Sequence, residues 1–94
     1  MSITRINHFE AKPGSEAELT AFMQNVVSDV SKADGCLKCR LLKGAENPAQ
    51  LAVIEEWTSI AHHKAAASVI PKEQIDRAVA LFAKPPFGIY YTVE

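Results

Sequence analysis

The stretch Leu51-Ala52-Val53-Ile54-Glu55-Glu56-Trp57-Thr58-Ser59 decides the fold, because it reads as a strand from Leu51 to Trp57 running directly into a helix start. Ser59 offers an N-cap hydroxyl for a short helix through Ser68, in which His62, His63 and Lys64 precede an Ala-rich end. Upstream, Gly44-Ala45-Glu46-Asn47-Pro48 is a turn and residues Leu37 to Lys43 form another strand, so the two strands make a hairpin. Further back, Ile3, Arg5, Asn7, Phe9 and Ala11 alternate with Thr4, Ile6, His8 and Glu10 in a first strand over residues 2–11. Pro13-Gly14 breaks that strand, and Ser15 with Glu18 three residues later is a capping-box signature. Leu19, Phe22, Met23, Val26, Val27 and Val30 then follow helical spacing and give one apolar stripe, read as core. Gly35 suits the left-handed position that closes such a helix.

Downstream, Pro71 fits the first turn of a further helix carrying Ile75, Ala78, Val79 and Phe82 on one side. Pro85-Pro86 stops it, and Phe87 to Val93 is a last strand with Phe87, Ile89, Tyr91 and Val93 on one face. The order is β-α-β-β-α-β with the second helical region split in two: a ferredoxin-like α+β fold, one domain over residues 1–94, with a four-stranded antiparallel sheet. Helices in this arrangement cover one sheet face only. Yet Ile6, Leu42 and Ile54 oppose Phe9, Leu41 and Val53, so both faces are apolar, and a second copy packed face to face is the economical cover. A homodimer is therefore expected.

Composition narrows the function classes. A chain of 94 residues has room for one core, and 48% hydrophobic with 22% charged residues is ordinary globular usage. Ten basic against eleven acidic residues, scattered along the chain, argue against nucleic acid and anionic membrane as partners. No apolar stretch approaches a membrane span, and Met1-Ser2-Ile3-Thr4-Arg5 lacks a signal-peptide apolar region, so a cytoplasmic protein is expected. There is no nucleophile elbow, glycine-rich phosphate loop or dinucleotide fingerprint. Cys36 and Cys39 have the spacing of a redox pair or half a zinc site, but on a strand residues three apart point to opposite faces. They are expected to be reduced, apolar fillers without metal.

The residues with chemistry to offer are few. Asn7 sits between Arg5 and Phe9 on the more apolar face of the first strand, where a buried amide either braces its neighbours or meets a ligand. Glu55 and Trp57 share a face of the third strand, so the indole can wall a pocket or fill the core, while the carboxylate orients a donor or pairs with Arg5 or Arg40. His62 and His63 are neighbours on a helix and point about 100° apart, so at most one faces inward. His8 lies on the opposite strand face from Asn7, which disfavours a three-histidine metal site. An inward histidine is the best general base the chain offers.

These residues resemble a known family, the antibiotic biosynthesis monooxygenase domain, over nearly the whole chain. The likeness is carried by Lys12-Pro13-Gly14, Gly35-Cys36, Glu46-Asn47-Pro48 and, most specifically, Glu55-Glu56-Trp57-Thr58-Ser59-Ile60-Ala61-His62. It implies a dimeric α+β barrel and oxygenation of aromatic polyketides or quinols without metal or flavin. Quinol monooxygenases of the family are similar through Trp57 to His62 and place a histidine at the position of His63. Many members have a further histidine nine residues after the tryptophan, where this chain has Ala66. The haem-degrading branch uses an Asn on the first strand, a Trp at that later position and a His ten residues beyond. Here only Asn7 matches, with Ala66 and Asp76 in the other places, which disfavours haem degradation. The expected site therefore has His63 as base, Asn7 as donor, and Trp57 with Phe9 and Glu55 around a small aromatic or quinol-like substrate, with no cofactor. The rival expectation is a non-catalytic dimeric binding protein that uses the same pocket.

Overall fold

The computed structural model describes residues 2–94. Its elements are β1 (Ile3–Glu10), α1 (Glu16–Val30), β2 (Cys36–Lys43), β3 (Gln50–Trp57), α2 (Ile60–Ser68), α3 (Lys72–Val79) and β4 (Phe87–Tyr91). The strands lie in the order β2-β3-β1-β4 with every neighbouring pair antiparallel. This is the ferredoxin-like arrangement expected from the element order. The register sets Arg5 between Glu55 and Tyr90, and Asn7 between Val53 and Gly88. Those two rungs build the polar end of the site.

The apolar stripe of α1 docks where its spacing puts it. Leu19 and Met23 are buried together with Ala11, Leu51, Val53 and Leu81, and Phe9, Phe22, Val26, Val27 and Leu41 pack around them. Chain entry into α1 differs from the sequence expectation: Ser15 has φ −106° and ψ 8°, and its hydroxyl makes no capping bond. The chain is turned instead by a β-turn in which Ser15 N–H donates to Lys12 O at 2.9 Å, with Gly14 at φ +85°. Positive φ at that third turn position is what glycine supplies at no steric cost. Gly35 is left-handed as expected, at φ +84°, but α1 already ends at Val30 with Ser31 as its cap. Gly35 thus launches β2 rather than closing the helix. Ser59 caps α2 as expected, its extended backbone letting the hydroxyl accept from His62 N–H at 3.1 Å.

Among the described residues, no helix lies over the opposite sheet face. Leu42, Phe87, Ile89 and Tyr91 stand there exposed, Phe87 by 56% and Ile89 by 46%. No helix among the described residues is long and apolar enough to cross a membrane. Because Leu19 is fully buried, Leu19→Ala should lower unfolding free energy by about 2–5 kcal/mol in a urea titration. The exposed Leu37→Ala should stay within about 0.5 kcal/mol of the parent protein.

Candidate functional site

A cavity of about 300 Å³ opens between the helix-facing side of the sheet and all three helices. Its walls are Phe9 and Val53 from the sheet, Phe22 and Val26 from α1, and Ile75 and Val79 from α3. One end is polar, and there Asn7, Glu55, Trp57 and His63 meet. The sequence expectation named these four residues and Phe9, and all five line this one space. A separate concavity of about 340 Å³, between His8, Lys43, Lys84 and Phe87, contains neither Glu55, Trp57 nor His63.

Glu55 is the centre of the polar end, only 6% exposed. Trp57 Nε1–H donates to its Oε1 at 2.7 Å, and Asn7 Nδ2 donates to its Oε2 at 2.9 Å. Asn7 is itself held by Arg5, whose Nε donates to Asn7 Oδ1 at 2.9 Å. The amide therefore braces the network, and Arg5 reaches the carboxylate through Asn7 rather than as a direct ion pair. Arg40 pairs in register with Ile54, on the other face. Burial pushes the Glu55 carboxyl above its usual range, although the Trp57 bond, the Arg5 charge and the Asn7 bond each act in the opposite direction.

His63 enters from the second turn of α2. Its ring lies edge-on to Trp57 at 5.4 Å between centroids, and its Nε2 stands 3.8 Å from Glu55 Oε1. Desolvation first, and then the charges of Arg5 and Lys64, hold its pKa below the usual histidine value. His62 takes the other direction. Its Nδ1 lies 2.7 Å from the Ser59 hydroxyl, and its ring packs where a side chain at Gly35 would otherwise stand. The helix thus separates the two histidines as their adjacency requires.

Two participants, Tyr90 and Gly88, were not singled out from sequence. Tyr90 Oη lies 2.5 Å from His63 Nδ1, and the Arg5 guanidinium sits 4.5 Å over the Tyr90 ring. Gly88 faces Asn7 and Arg5, and a Cβ there would collide with Asn7 Oδ1 and the Arg5 guanidinium. The signal was present in the alternation of β4: if Phe87, Ile89 and Tyr91 take one face, Gly88 and Tyr90 take the other, beside Asn7 and Arg5.

The cysteines need a correction. A bulge between Cys36 and Lys38 shifts the register, so that Cys36 pairs with Trp57 and Cys39 with Glu55, and both thiols fall on the helix-facing side. Sequence alternation alone put them on opposite faces. Burial, then the Glu55 charge, then Cys36 push the Cys39 thiol up to about 12. Among the described residues, His, Cys, Asp and Glu side chains form no cluster of three or more placed around a metal position. Ala66 lines the cavity, whereas Asp76 is paired with Lys72 at 2.8 Å on the outer side of α3.

Comparison with known proteins agrees with the family resemblance. The family model described as antibiotic biosynthesis monooxygenase matches residues 2–68, and the chain belongs to that family. No curated protein sequence matches the chain. Among solved structures, a conserved protein from Methanosarcina mazei Go1 has a TM-score of 0.89 at 19% identity, covering 100% of this chain and 94% of its own. Rv0793 from Mycobacterium tuberculosis has a TM-score of 0.87 at 17% identity, with coverages of 100% and 96%. A variant of SnoaB, a cofactor-independent oxygenase from Streptomyces nogalater, has a TM-score of 0.82 at 18% identity, with coverages of 98% and 92%. Identities this low speak for a shared fold.

Two cysteines on one face still do not make a disulfide, since three extended residues span roughly 10 Å and a bridge tolerates a Cα separation of about 7 Å. Both should titrate as free thiols after air exposure. Cys39 should react with iodoacetamide at pH 8 at least about tenfold more slowly than a peptide cysteine.

Proposed function

We propose that this chain is a cofactor-independent monooxygenase of a small phenolic, quinol or polyketide-like substrate, acting as a cytoplasmic homodimer. The observation that carries the reading is the polar end of the cavity: the buried Glu55 carboxyl group and the His63 imidazole 3.8 Å apart, at the end of a largely apolar space. That arrangement suits removal of a hydroxyl proton and retention of the anion away from water.

In the proposed reaction the His63–Glu55 pair takes the phenolic proton. The electron-rich anion then reduces dioxygen, the co-reactant. One oxygen atom forms the new bond to ring carbon, and the other leaves as water with two hydrogens from the substrate, so a phenol yields a quinone by a four-electron oxidation. Asn7 keeps Glu55 in place, and Trp57 and Phe9 wall the ring. A volume of about 300 Å³ fits a one- or two-ring ligand better than an extended polycyclic one.

The test is oxygen uptake with a panel of hydroquinones and naphthols. His63→Ala should lower turnover by about 10² to 10⁴, the range that acid–base and oxyanion-holding groups span, and His62→Ala should leave it nearly unchanged. A second reading, a non-catalytic binder of small aromatics, has Ala66 in its favour, standing in the cavity where many relatives carry a histidine. Ligand binding without oxygen uptake across the panel would move the assignment to that reading.

The dimer rests on the uncovered sheet face, where Leu42, Phe87, Ile89 and Tyr91 form an apolar patch without a helix. Sedimentation velocity at micromolar concentration should give a dimer, and Ile89→Lys should shift it to monomer. A monomeric parent protein would contradict the assignment.

A further inference from the structure

We infer that Tyr90 and Arg5 fix the tautomer of His63 and so divide the labour at the polar end: Glu55 takes the substrate proton, and His63 donates from Nε2 to the oxygen left behind. This rests on the proposed reading of the cavity as a site for a phenolic hydroxyl. It makes Tyr90 a positioning residue, on a strand beyond the residues 2–68 that the family model matches.

The assignment follows from which groups can only donate. Arginine and tryptophan side chains carry donors and no acceptor. Arg5 Nε therefore orients the Asn7 amide, with Oδ1 toward itself and Nδ2 toward Glu55 Oε2. Trp57 fills the same role at Oε1. Both carboxylate oxygens are thus acceptors. A bare Nε2 lone pair 3.8 Å from Oε1 would be repelled, whereas an N–H there is attracted. A neutral imidazole has one N–H, so Nδ1 is left bare and must accept. The group beside it is the Tyr90 hydroxyl, which can donate or accept and here donates its O–H to that lone pair at 2.5 Å. The Glu55 side therefore selects the tautomer, and the Tyr90 hydroxyl complements it from the other side of the ring.

Tyr90 is held for this task by Arg5 over one face of its ring and by the His63 edge, with ring centroids 5.3 Å apart. The charged or titratable groups around His63 are Arg5 from β1, Glu55 from β3, Tyr90 from β4 and Lys64 on its own helix. Burial first, and then the charges of Arg5 and Lys64, hold the His63 pKa below the usual histidine value and so favour the neutral ring.

The 3.8 Å gap is too long for a direct hydrogen bond, but an oxygen about 2.8 Å from each atom fits at the apex between them. A phenol there donates O–H to Glu55 and accepts from His63. In the transfer the phenol O–H bond breaks and a carboxyl O–H bond forms on Glu55. The electron pair stays on the phenolate oxygen, held by Nε2–H.

Nitrogen-15 NMR of the labelled full chain tests this without any turnover, with the His63 ring signals assigned by their loss in His63→Ala. In the parent protein His63 should show a protonated Nε2 and an unprotonated Nδ1. In Tyr90→Phe that pattern should change to a mixture of tautomers. With 4-nitrophenol, a phenol too electron-poor to reduce oxygen, the ligand should bind as phenolate by its absorption while His63 stays neutral. A protonated Nδ1 in the free protein, an unchanged Tyr90→Phe spectrum, an imidazolium in the complex or a bound phenol that keeps its proton would each overturn the inference. Absence of oxygen uptake with the hydroquinone panel would instead overturn the monooxygenase reading and leave the tautomer result standing.

Discussion

The buried carboxylate of Glu55 is the constraint on which the rest of the site depends. A charge taken out of water is costly unless its oxygens find donors, and here two rigid donors meet it from the sheet itself, Trp57 two residues along the same strand and Asn7 on the neighbouring strand. Each of those donors is in turn fixed. Trp57 is fully buried at the corner where β3 becomes α2, and Asn7 is held by Arg5 in space that only a glycine at position 88 leaves open. Among the described residues no buried side-chain nitrogen or oxygen lacks a partner, so the network is satisfied without a ligand. In the proposed reading, a ligand hydroxyl would add to bonds that already exist.

Sheet register is what brings these groups to one place. Arg5, Glu55 and Tyr90 occupy one rung across three strands, and Asn7 with Gly88 the next on the same face. A slip of one residue would send every one of them to the uncovered side. The apolar alternation that sets the core, with Phe9, Leu51 and Val53 against Leu19 and Met23, therefore also sets the chemistry. Packing energy and site geometry come from the same pattern.

Much of this was legible in the sequence. The element order, the antiparallel hairpin, the split second helical region and the shared face of Asn7, Glu55 and Trp57 follow from alternation, helical spacing and caps, whereas helix geometry left open which of His62 and His63 turns inward and the family resemblance pointed to His63. What was not legible depended on local backbone detail. The bulge at Cys36 to Lys38 reverses the face of Cys36, and alternation cannot announce where a strand will take an extra residue. The capping box at Ser15 failed because the Lys12-Pro13-Gly14-Ser15 turn fixed the backbone in another conformation first. The direct Glu55–Arg pair was replaced by a bond through Asn7, a choice that depends on side-chain reach rather than on residue type. Tyr90 stands on the face of β4 opposite the apolar alternation of Phe87, Ile89 and Tyr91 that marks the strand.

The central claim is that a ligand hydroxyl sits between Glu55 and His63 at the polar end of the cavity. A crystal structure of the anaerobic complex with 1-naphthol tests it most directly. The account predicts the naphthol oxygen within hydrogen-bonding distance of both Glu55 and His63, with its rings against Phe9 and Trp57. A naphthol bound with its hydroxyl turned toward α3, or seated on the uncovered sheet face, would contradict it.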